Sequence, residues 1–192
     1  MASLPSLLLA SAVLLAGATF LTHHSNTTTK LNPQPITTTH LHFYMHDDYT
    51  GPHPTAMRVV SGRSLLPNST KSPITGRHFG DIVALNNALT EGPDNSGGKR
   101  VGTAQGFAVR VAEGGVVSDL SMHLAMEAGE FKGSSVAVKG RIDMDLEVRE
   151  SVVVGGTGKF RLARGYMLSR DYDYTLADGG VIEIDLYLQH HD

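Results

Sequence analysis

One short segment holds the densest group of polar side chains, and it reads His40-Leu41-His42-Phe43-Tyr44-Met45-His46-Asp47-Asp48. On a β-strand its three histidines would share a face, a spacing that can present imidazoles to one metal ion. No pairing of carboxylates with histidines repeats elsewhere in the chain. We therefore expect the histidines to lie outside the strand beside Tyr44, solvated or hydrogen-bonded, and we predict no metal site.

Asp47 differs from these histidines because alternation places it on the face predicted to be buried, with Leu41, Phe43 and Met45. A buried carboxylate is costly unless it is hydrogen-bonded or paired with a charge, and such acids are often functional. If the strand instead ends near Met45, Asp47 is a residue of the rim or of a turn. Both interpretations are compatible with this segment.

A second candidate is Arg149, which follows an amphipathic segment and precedes the apolar residues Val152, Val153 and Val154. An Arg at the rim of a sheet is commonly a surface charge. It could equally pair with an interior acid and donate to a ligand oxygen, since a guanidinium is always charged and offers several donors. Asp47 and Arg149 are therefore the candidate pocket acid and its partner.

The sequence argues against several other kinds of site. The chain has no cysteine, which excludes a thiol nucleophile, a disulfide scaffold and a Cys-ligated zinc. Gly155-Gly156-Thr157-Gly158 lacks the Lys-Ser/Thr pair and the helix of a phosphate loop, so we interpret it as a hairpin turn. No Gly-x-Ser-x-Gly elbow and no haem, copper or flavin motif is present, and we predict no cofactor. A net charge of -3 without a basic stripe argues against a nucleic-acid partner.

Alternation of apolar and polar residues with a period of two is typical of strands with one buried face. The clearest case is the segment 135–147, in which one face comprises Val136, Val138, Gly140, Ile142, Met144 and Leu146. Further strand candidates, separated by glycine-containing turns, are 41–45, 57–61, 78–86, 100–111, 120–126, 151–154, 160–169 and 181–189. The pattern predicts one all-β domain, an eight-stranded antiparallel barrel, because closure removes sheet edges and leaves a lumen for one small ligand. A two-sheet sandwich is the alternative.

The N-terminal region is predicted to direct secretion. Residues 7–18 form an apolar run shorter than the roughly 20 residues that span a bilayer, and Ala16-Gly17-Ala18 supplies a small-residue cleavage pattern. The lack of Lys or Arg before Lys30 departs from the usual signal. We predict a signal peptide at 1–18, a flexible lead-in at 19–39 and the folded domain at 40–192.

Secretion would expose two sequons, Asn26-Thr27-Thr28 and Asn68-Ser69-Thr70, to the glycosylation machinery. Asn68 is the favoured glycosylation site because it lies in a polar loop within the folded domain, and Asn26 is the second candidate. After signal cleavage we expect an extracellular protein with no membrane partner.

Several motifs follow one another along the chain. They are 41–47 (LHFYMHD), Phe79-Gly80-Asp81, 89–93 (LTEGP), 101–106 (VGTAQG), Gly133-Ser134-Ser135, and Arg149-Glu150 followed by 152–166 (VVVGGTGKFRLARGY). In this order they resemble the motifs of the plant dirigent family, and the likeness extends over residues 40–190. Five or more collinear motifs are far more specific than any one of them.

The resemblance implies a barrel of the dirigent and allene-oxide-cyclase type that is glycosylated, exported to the cell-wall space and homo-oligomeric, as a dimer or trimer. Members bind radicals of monolignols such as coniferyl alcohol, which an external laccase or peroxidase generates, and set the stereochemistry of their coupling to lignans. Other members close rings in quinone methides or act in lignin deposition or defence. A cyclase or isomerase of closed-shell substrates and a non-catalytic wall or defence barrel are therefore the alternative functions.

The resemblance also assigns site residues. It implicates Asp47 in acid chemistry on the quinone methide and places Arg149 in the pocket, and we predict Phe43, Ile142 and Phe160 as ligand contacts. Lignan-forming members carry a further pocket Asp at the position of Ile142. This departure predicts a more apolar lumen than in lignan formers.

Overall fold

The computed structural model describes residues 35–65, 76–94 and 98–191, and their regular structure is almost all β-strand. The strands are β1 (Ile36–Asp48), β2 (Ala56–Val60), β3 (Ile82–Thr90), β4 (Arg100–Arg110), β5 (Val117–Met126), β6 (Ser135–Asp143), β7 (Arg149–Thr157), β8 (Arg164–Thr175) and β9 (Gly179–His191). A turn of 3-10 helix, Gly158–Phe160, lies between β7 and β8. In these residues no helix is long and apolar enough to cross a membrane. The predicted signal peptide at 1–18 and both sequons, at Asn26 and Asn68, lie outside the described residues.

Eight strands form a closed antiparallel ring in the order β1-β9-β8-β7-β6-β5-β4-β3. The ring closes where β1 pairs with the second half of β3, with Met45 opposite Leu89. The ninth strand, β2, pairs with the first half of β3, with Ala56 opposite Leu85. The prediction of an all-β, eight-stranded antiparallel barrel is therefore confirmed, and β2 is an additional strand on the edge of β3.

Alternate residues of each strand face inward and fill much of the lumen with apolar side chains. The largest wholly buried ones are Phe160, Leu89, Met122, Leu124, Met167, Ile184, Leu186 and Leu188. Full burial of such a side chain contributes about 1.5–3 kcal/mol. In a chain without disulfides, this packing and the closure of the ring hold the fold together.

The two ends of the barrel differ in chemistry. At one end, which we call the base, the Phe160 ring packs 4.7 Å from the Phe131 ring and 5.4 Å from the His190 ring, measured between centroids. At the other end, which we call the mouth, β1, β4, β6 and β8 finish and β3, β5, β7 and β9 begin. The buried polar residues of the mouth include Asp47, Arg110 and Arg149. The base is thus closed by aromatic rings, whereas the mouth carries charge.

Two strand boundaries differ from expectation, one at the base and one at the mouth. β1 begins at Ile36, so residues 36–39, assigned to the lead-in, belong to the sheet and pair with the end of β9. β3 begins at Ile82 and not at 78, because the Asp81 carboxylate accepts hydrogen bonds from the backbone N–H groups of Gly62 and His78, both at 2.8 Å. These bonds hold the segment before β3 as a loop.

Two further boundaries were wrong. β6 ends at Asp143 and not at 147, and Leu146, expected on the inner face, is 52% exposed. β7 runs through the glycines at 155 and 156, which were expected to form the hairpin turn. The reversal comes later because Phe160 is buried in the 3-10 turn and Leu162 adopts a left-handed φ of 64°, so β8 begins only at Arg164.

Candidate functional site

Asp47 lies at the mouth, on the inner face of β1. The strand continues to Asp48, so Asp47 is a strand residue and only 5% of it is exposed. Its Oδ1 accepts a hydrogen bond from Asn87 Nδ2 at 2.9 Å, and its Oδ2 accepts one from the Tyr174 hydroxyl at 3.2 Å. Asp47 is therefore a buried acid with a neutral donor on each oxygen.

Two guanidinium groups lie beside this acid without bonding to it directly. Arg77 Nη2 donates to the Tyr174 hydroxyl at 3.1 Å, so Tyr174 links Arg77 to Asp47. The Arg77 guanidinium also lies over the Tyr49 ring, 5.4 Å from its centroid. Arg110 Nη2 donates to the Tyr49 hydroxyl at 3.0 Å. One phenol therefore bonds to the carboxyl group, two cations lie near enough to act on its charge, and a second phenol, that of Tyr49, contacts both cations.

This environment changes the proton affinity of the acid. Burial raises the pKa of Asp47, and it outweighs the lowering effects of the Asn87 and Tyr174 hydrogen bonds and of the Arg77 and Arg110 charges. Burial, followed by the nearby Asp47 charge, also raises the pKa of Tyr174, so this phenol stays protonated. Asp47 therefore keeps its proton to a higher pH than an exposed carboxyl does, which suits a proton donor.

A cavity of about 350 Å³ opens at the mouth next to these groups. Its polar lining includes Tyr49, Arg77 and Arg110, and its apolar lining includes Ala56, Val83 and Leu176. The volume lies at the lower end of the range for small-molecule sites, which are mostly apolar with a few placed polar groups.

Asp81 lines the cavity itself, whereas Asp47 lies behind its lining residues, and the two acids have opposite character. Burial alone would raise the pKa of Asp81, but hydrogen bonds from the backbone of His78 and Gly62 and the charge of Arg58, whose Nη1 lies 3.5 Å from Oδ2, together lower it. Asp81 is therefore an ionised carboxylate that fixes the loop, whereas Asp47 is the acid able to give up a proton.

Arg149 forms a second polar cluster at the mouth. Its Nη2 donates to Asp171 Oδ1 at 2.6 Å, and only 2% of Arg149 is exposed. Ser169 donates to the Arg149 carbonyl oxygen at 3.4 Å, and the buried Ser151 hydroxyl has no hydrogen-bond partner within the described structure. The expected pairing of Arg149 with Asp47 is therefore wrong, because Arg149 pairs with Asp171 and the cations beside Asp47 are Arg77 and Arg110.

Comparison with known proteins identifies the scaffold. The family model for dirigent-like proteins matches residues 38–189. The chain belongs to the dirigent family. Dirigent protein 1 of Arabidopsis thaliana is 40% identical over 183 residues, covering 95% of this chain and 94% of that protein. Pterocarpan synthase 1 of Glycyrrhiza echinata is 37% identical over 182 residues, covering 93% of this chain and 92% of the relative.

A solved structure agrees with this assignment. The structure of a pterocarpan synthase dirigent protein superposes with a TM-score of 0.75 at 36% identity, covering 86% of this chain and 98% of that one. A second pterocarpan synthase dirigent structure gives a TM-score of 0.72 at 35% identity. The barrel described above is therefore a dirigent barrel.

The predicted ligand contacts of this dirigent barrel lie at different depths. Phe43 is 3% exposed, packs in the apolar core and precedes Asp47 by four residues on the same face of β1. Ile142 is partly buried against the core at the mouth, opposite Ser118. Phe160 closes the base beside His190, whereas Asp47 pairs with Gly180, and the eleven residues of β9 from Gly180 to His190 span roughly 30 Å. Phe43 therefore shares the inner face of β1 with the candidate acid, Ile142 lies at the mouth on a strand across the ring from β1, and Phe160 lies at the far end of the barrel.

The three histidines of β1 do not form one cluster. His46 is buried, its Nε2 lies 2.7 Å from Thr90 Oγ1, and burial lowers its pKa. His40 and His42 are exposed on the outer face, where His42 contacts the Tyr44 ring edge-on at 5.3 Å. The prediction that the histidines lie on the outside of the strand beside Tyr44 therefore holds for His40 and His42, whereas His46 is buried.

Sequence reasoning missed Tyr174, Arg77 and Arg110 as parts of the site. Arg110 falls on the inward face of β4 by simple alternation with Ala104 and Ala108, so this signal was available. Tyr174 was not accessible in this way, because a register shift in β8 between Asp171 and Asp173 changes which residues face the lumen.

Proposed function

We propose that this dirigent protein binds phenylpropanoid radicals of the monolignol type in the mouth of its barrel and directs the stereochemistry of their coupling. An external laccase or peroxidase supplies the oxidation. The observation that carries the proposal is Asp47, a buried acid with a raised pKa beside a cavity lined by phenols and guanidinium groups.

The coupling step needs positioning and little else. Two phenoxy radicals combine by pairing their two unpaired electrons in one new C–C bond, so the protein supplies no electron. Which product forms depends on which faces of the two radicals meet, and a fixed pocket controls that orientation. The mouth offers two polar clusters, one around Asp47 and one around Arg149, that can each hold a phenolic ring.

The step after coupling gives Asp47 a chemical role. The coupled product is a quinone methide, and a hydroxyl group of the same molecule attacks its methide carbon to form a C–O bond. The Asp47 carboxyl donates its proton to the quinone methide oxygen, which restores an aromatic phenol. The attacking hydroxyl then returns a proton to the carboxylate, and Arg77 and Arg110 stabilise the transient negative charge.

A second candidate function uses the same acid on a closed-shell substrate. The specific observation is that two relatives with solved structures are pterocarpan synthases. The resemblance adds that Ile142 stands where lignan-forming members carry an Asp. In this reading a phenolic quinone methide forms by loss of water from a benzylic alcohol, and a second phenol of the molecule closes the ring. No oxidase takes part.

One experiment separates the two. Purified protein is incubated with coniferyl alcohol, with and without limiting laccase, and separately with an ortho-hydroxybenzyl alcohol that carries a second phenol, without oxidase. Chiral chromatography measures the enantiomeric excess of the products. An excess from coniferyl alcohol only with laccase supports radical coupling, and faster, enantioselective ring closure without oxidase supports the second function. Racemic products and uncatalysed rates in both assays would exclude both functions for these substrates.

We also propose that the protein is an extracellular, glycosylated homo-oligomer, a dimer or trimer. Support for assembly comes from exposed apolar residues on neighbouring strands, with Val152 52% and Val154 62% exposed on β7 and Tyr166 41% exposed on β8. Val152 and Tyr166 are direct cross-strand partners, so these side chains form one patch. Light scattering after size-exclusion chromatography is expected to show an oligomer that a Val152→Lys, Val154→Lys variant shifts towards monomer. A monomeric wild type would contradict this.

A further inference from the structure

A second group of chemically active side chains lies on the outer wall of the barrel, away from the mouth cavity. It arises because β1, the first strand, pairs with β9, the last, which sets His42 opposite Asp185 and Tyr44 opposite Glu183. His42 Nδ1 lies 3.0 Å from Asp185 Oδ1, and His42 Nε2 lies 3.7 Å from Glu183 Oε1. Residues about 140 positions apart in sequence thus bring one imidazole between two carboxylates.

The donor atoms have the spacing of a metal site. One atom from each of His42, Glu183 and Asp185 lies within 4.8 Å of the others. Ligand atoms about 2.0–2.1 Å from a tetrahedral zinc ion are about 3.3 Å apart, so closing around an ion needs only small side-chain movements. His40 Nε2 lies 2.8 Å from the same Asp185 Oδ1, which places it beside these three residues as a candidate fourth ligand.

Neighbouring side chains orient this group. Arg170 contacts Glu183 Oε2 at 3.5 Å and Asp185 Oδ2 at 3.6 Å, which are the oxygens that do not contact His42. The ring of His40 stacks on Tyr187 at 4.4 Å with an interplanar angle of 5°. Outer partners that hold the ligating carboxylates in this way are typical of metal sites in proteins.

We propose that His42, Glu183 and Asp185, with His40 as a fourth ligand, bind a divalent transition-metal ion of the zinc class on the outer wall of the barrel. Imidazole nitrogen combined with carboxylate oxygen favours such ions over Mg²⁺ and Ca²⁺, which prefer all-oxygen ligand sets. The site joins the first and last strands of the barrel. Its ligands face outward, whereas Asp47 faces the lumen, so the proposal does not depend on the proposed function.

The test uses purified protein without a histidine tag, titrated with Zn²⁺ by isothermal calorimetry. We expect one equivalent of Zn²⁺ to bind, Mg²⁺ to bind at least 100-fold more weakly, and His42→Ala to weaken Zn²⁺ binding at least tenfold. Asp185→Asn is expected to do the same while keeping the size of the side chain. His123→Ala is the matched control, because His123 is an exposed histidine on β5, and it should leave Zn²⁺ binding unchanged.

Thermal unfolding gives an independent readout. Because the site bridges β1 and β9, saturating Zn²⁺ is expected to raise the Tm of wild type and of His123→Ala but not of Asp185→Asn. Circular dichroism establishes that each variant is folded; if His42→Ala is not, Asp185→Asn and Glu183→Gln decide the question. The proposal is overturned if wild type binds no equivalent of Zn²⁺, or if the folded ligand variants bind it as tightly as His123→Ala does.

Discussion

Replacing Asp47 with Asn is the sharpest perturbation of the candidate site, because it removes the acidic proton and keeps the side-chain shape. The Asn oxygen can still accept from Asn87, which donates at 2.9 Å. The new amide must face the Tyr174 hydroxyl, which already accepts a hydrogen bond from Arg77. The loss of one good hydrogen bond costs about 1 kcal/mol.

The pKa of Asp47 sets the sign of the effect on stability. Burial raises the folded-state pKa above the ordinary value of 3.8, so the protonated carboxyl suits the fold better than the anion. That stabilisation is complete below the unfolded-state pKa and is lost as the pH rises through the raised folded-state pKa. Asn mimics the protonated form at every pH, and each pKa unit corresponds to about 1.4 kcal/mol. At neutral pH the gain offsets the lost hydrogen bond, so the variant should be about as stable as wild type, or more stable.

Activity should change far more than stability. A positioned general acid contributes roughly 10²–10⁴-fold to a rate, so Asp47→Asn should lose that factor in the acid-dependent step. Wild-type activity should also fall as the pH rises through the raised pKa of Asp47, since the protonated acid is the active form. Asp119→Asn is the matched control, because Asp119 is a partly exposed Asp on the outer face of β5 that pairs with Lys139.

The assays are urea unfolding at pH 7 and chiral product analysis under the conditions given above. Loss of stereocontrol or turnover with unchanged stability would support the acid role. Full activity in Asp47→Asn would refute it. A loss of several kcal/mol in unfolding free energy that parallels the loss of activity would refute the reasoning about the buried charge.

Three further predictions concern other parts of the barrel. Asp81→Asn should destabilise the fold by about 1–3 kcal/mol at pH 7. Urea titrations from pH 7 to 3 should show this difference in unfolding free energy shrinking, because the lowered pKa of Asp81 gives wild type a stability that is lost as the pH falls through that pKa. Phe160→Ala should cost about 3–5 kcal/mol in unfolding free energy, with a smaller loss indicating that the base can collapse around the gap. Ile142→Asp should fold, since the new carboxylate would lie opposite Ser118, to which Arg110 donates at 2.8 Å. The same chiral assay should show a higher enantiomeric excess from coniferyl alcohol with this variant than with wild type. An unchanged excess would count against Ile142 as a determinant of the reaction.

The fold could be predicted from the sequence because period-two alternation and turn residues are local signals. Val136, Val138 and Gly140 were placed on one face, and the barrel has Val136 and Val138 fully buried there. The strand ends were less accessible, because they depend on contacts between distant segments. The carboxylate of Asp81, for example, accepts a hydrogen bond from the backbone N–H of Gly62, and β3 begins only after Asp81. No local sequence pattern predicts that bond.

The site was predictable in part for the same reason. Alternation along β1 located Asp47 on the inner face, but its donors come from β3 and β8, and Tyr174 reaches it only through a register shift. The carboxylates beside His42 were equally hidden, because they belong to β9 and meet β1 only when the last strand of the chain pairs with the first. Pairings between the two ends of a chain are set by the topology as a whole.

One strand therefore carries both chemistries proposed here, on opposite faces. Along β1, Phe43, Met45 and Asp47 face the lumen, and His40 and His42 face outward. Because side chains alternate with a period of two, a slip of one residue would exchange the faces, burying the imidazoles and exposing the acid. Pairing on both edges prevents such a slip, since β9 fixes β1 along its whole length and β3 fixes its end. Closure of the barrel is thus what places a proton donor inside the wall and a set of metal ligands outside it.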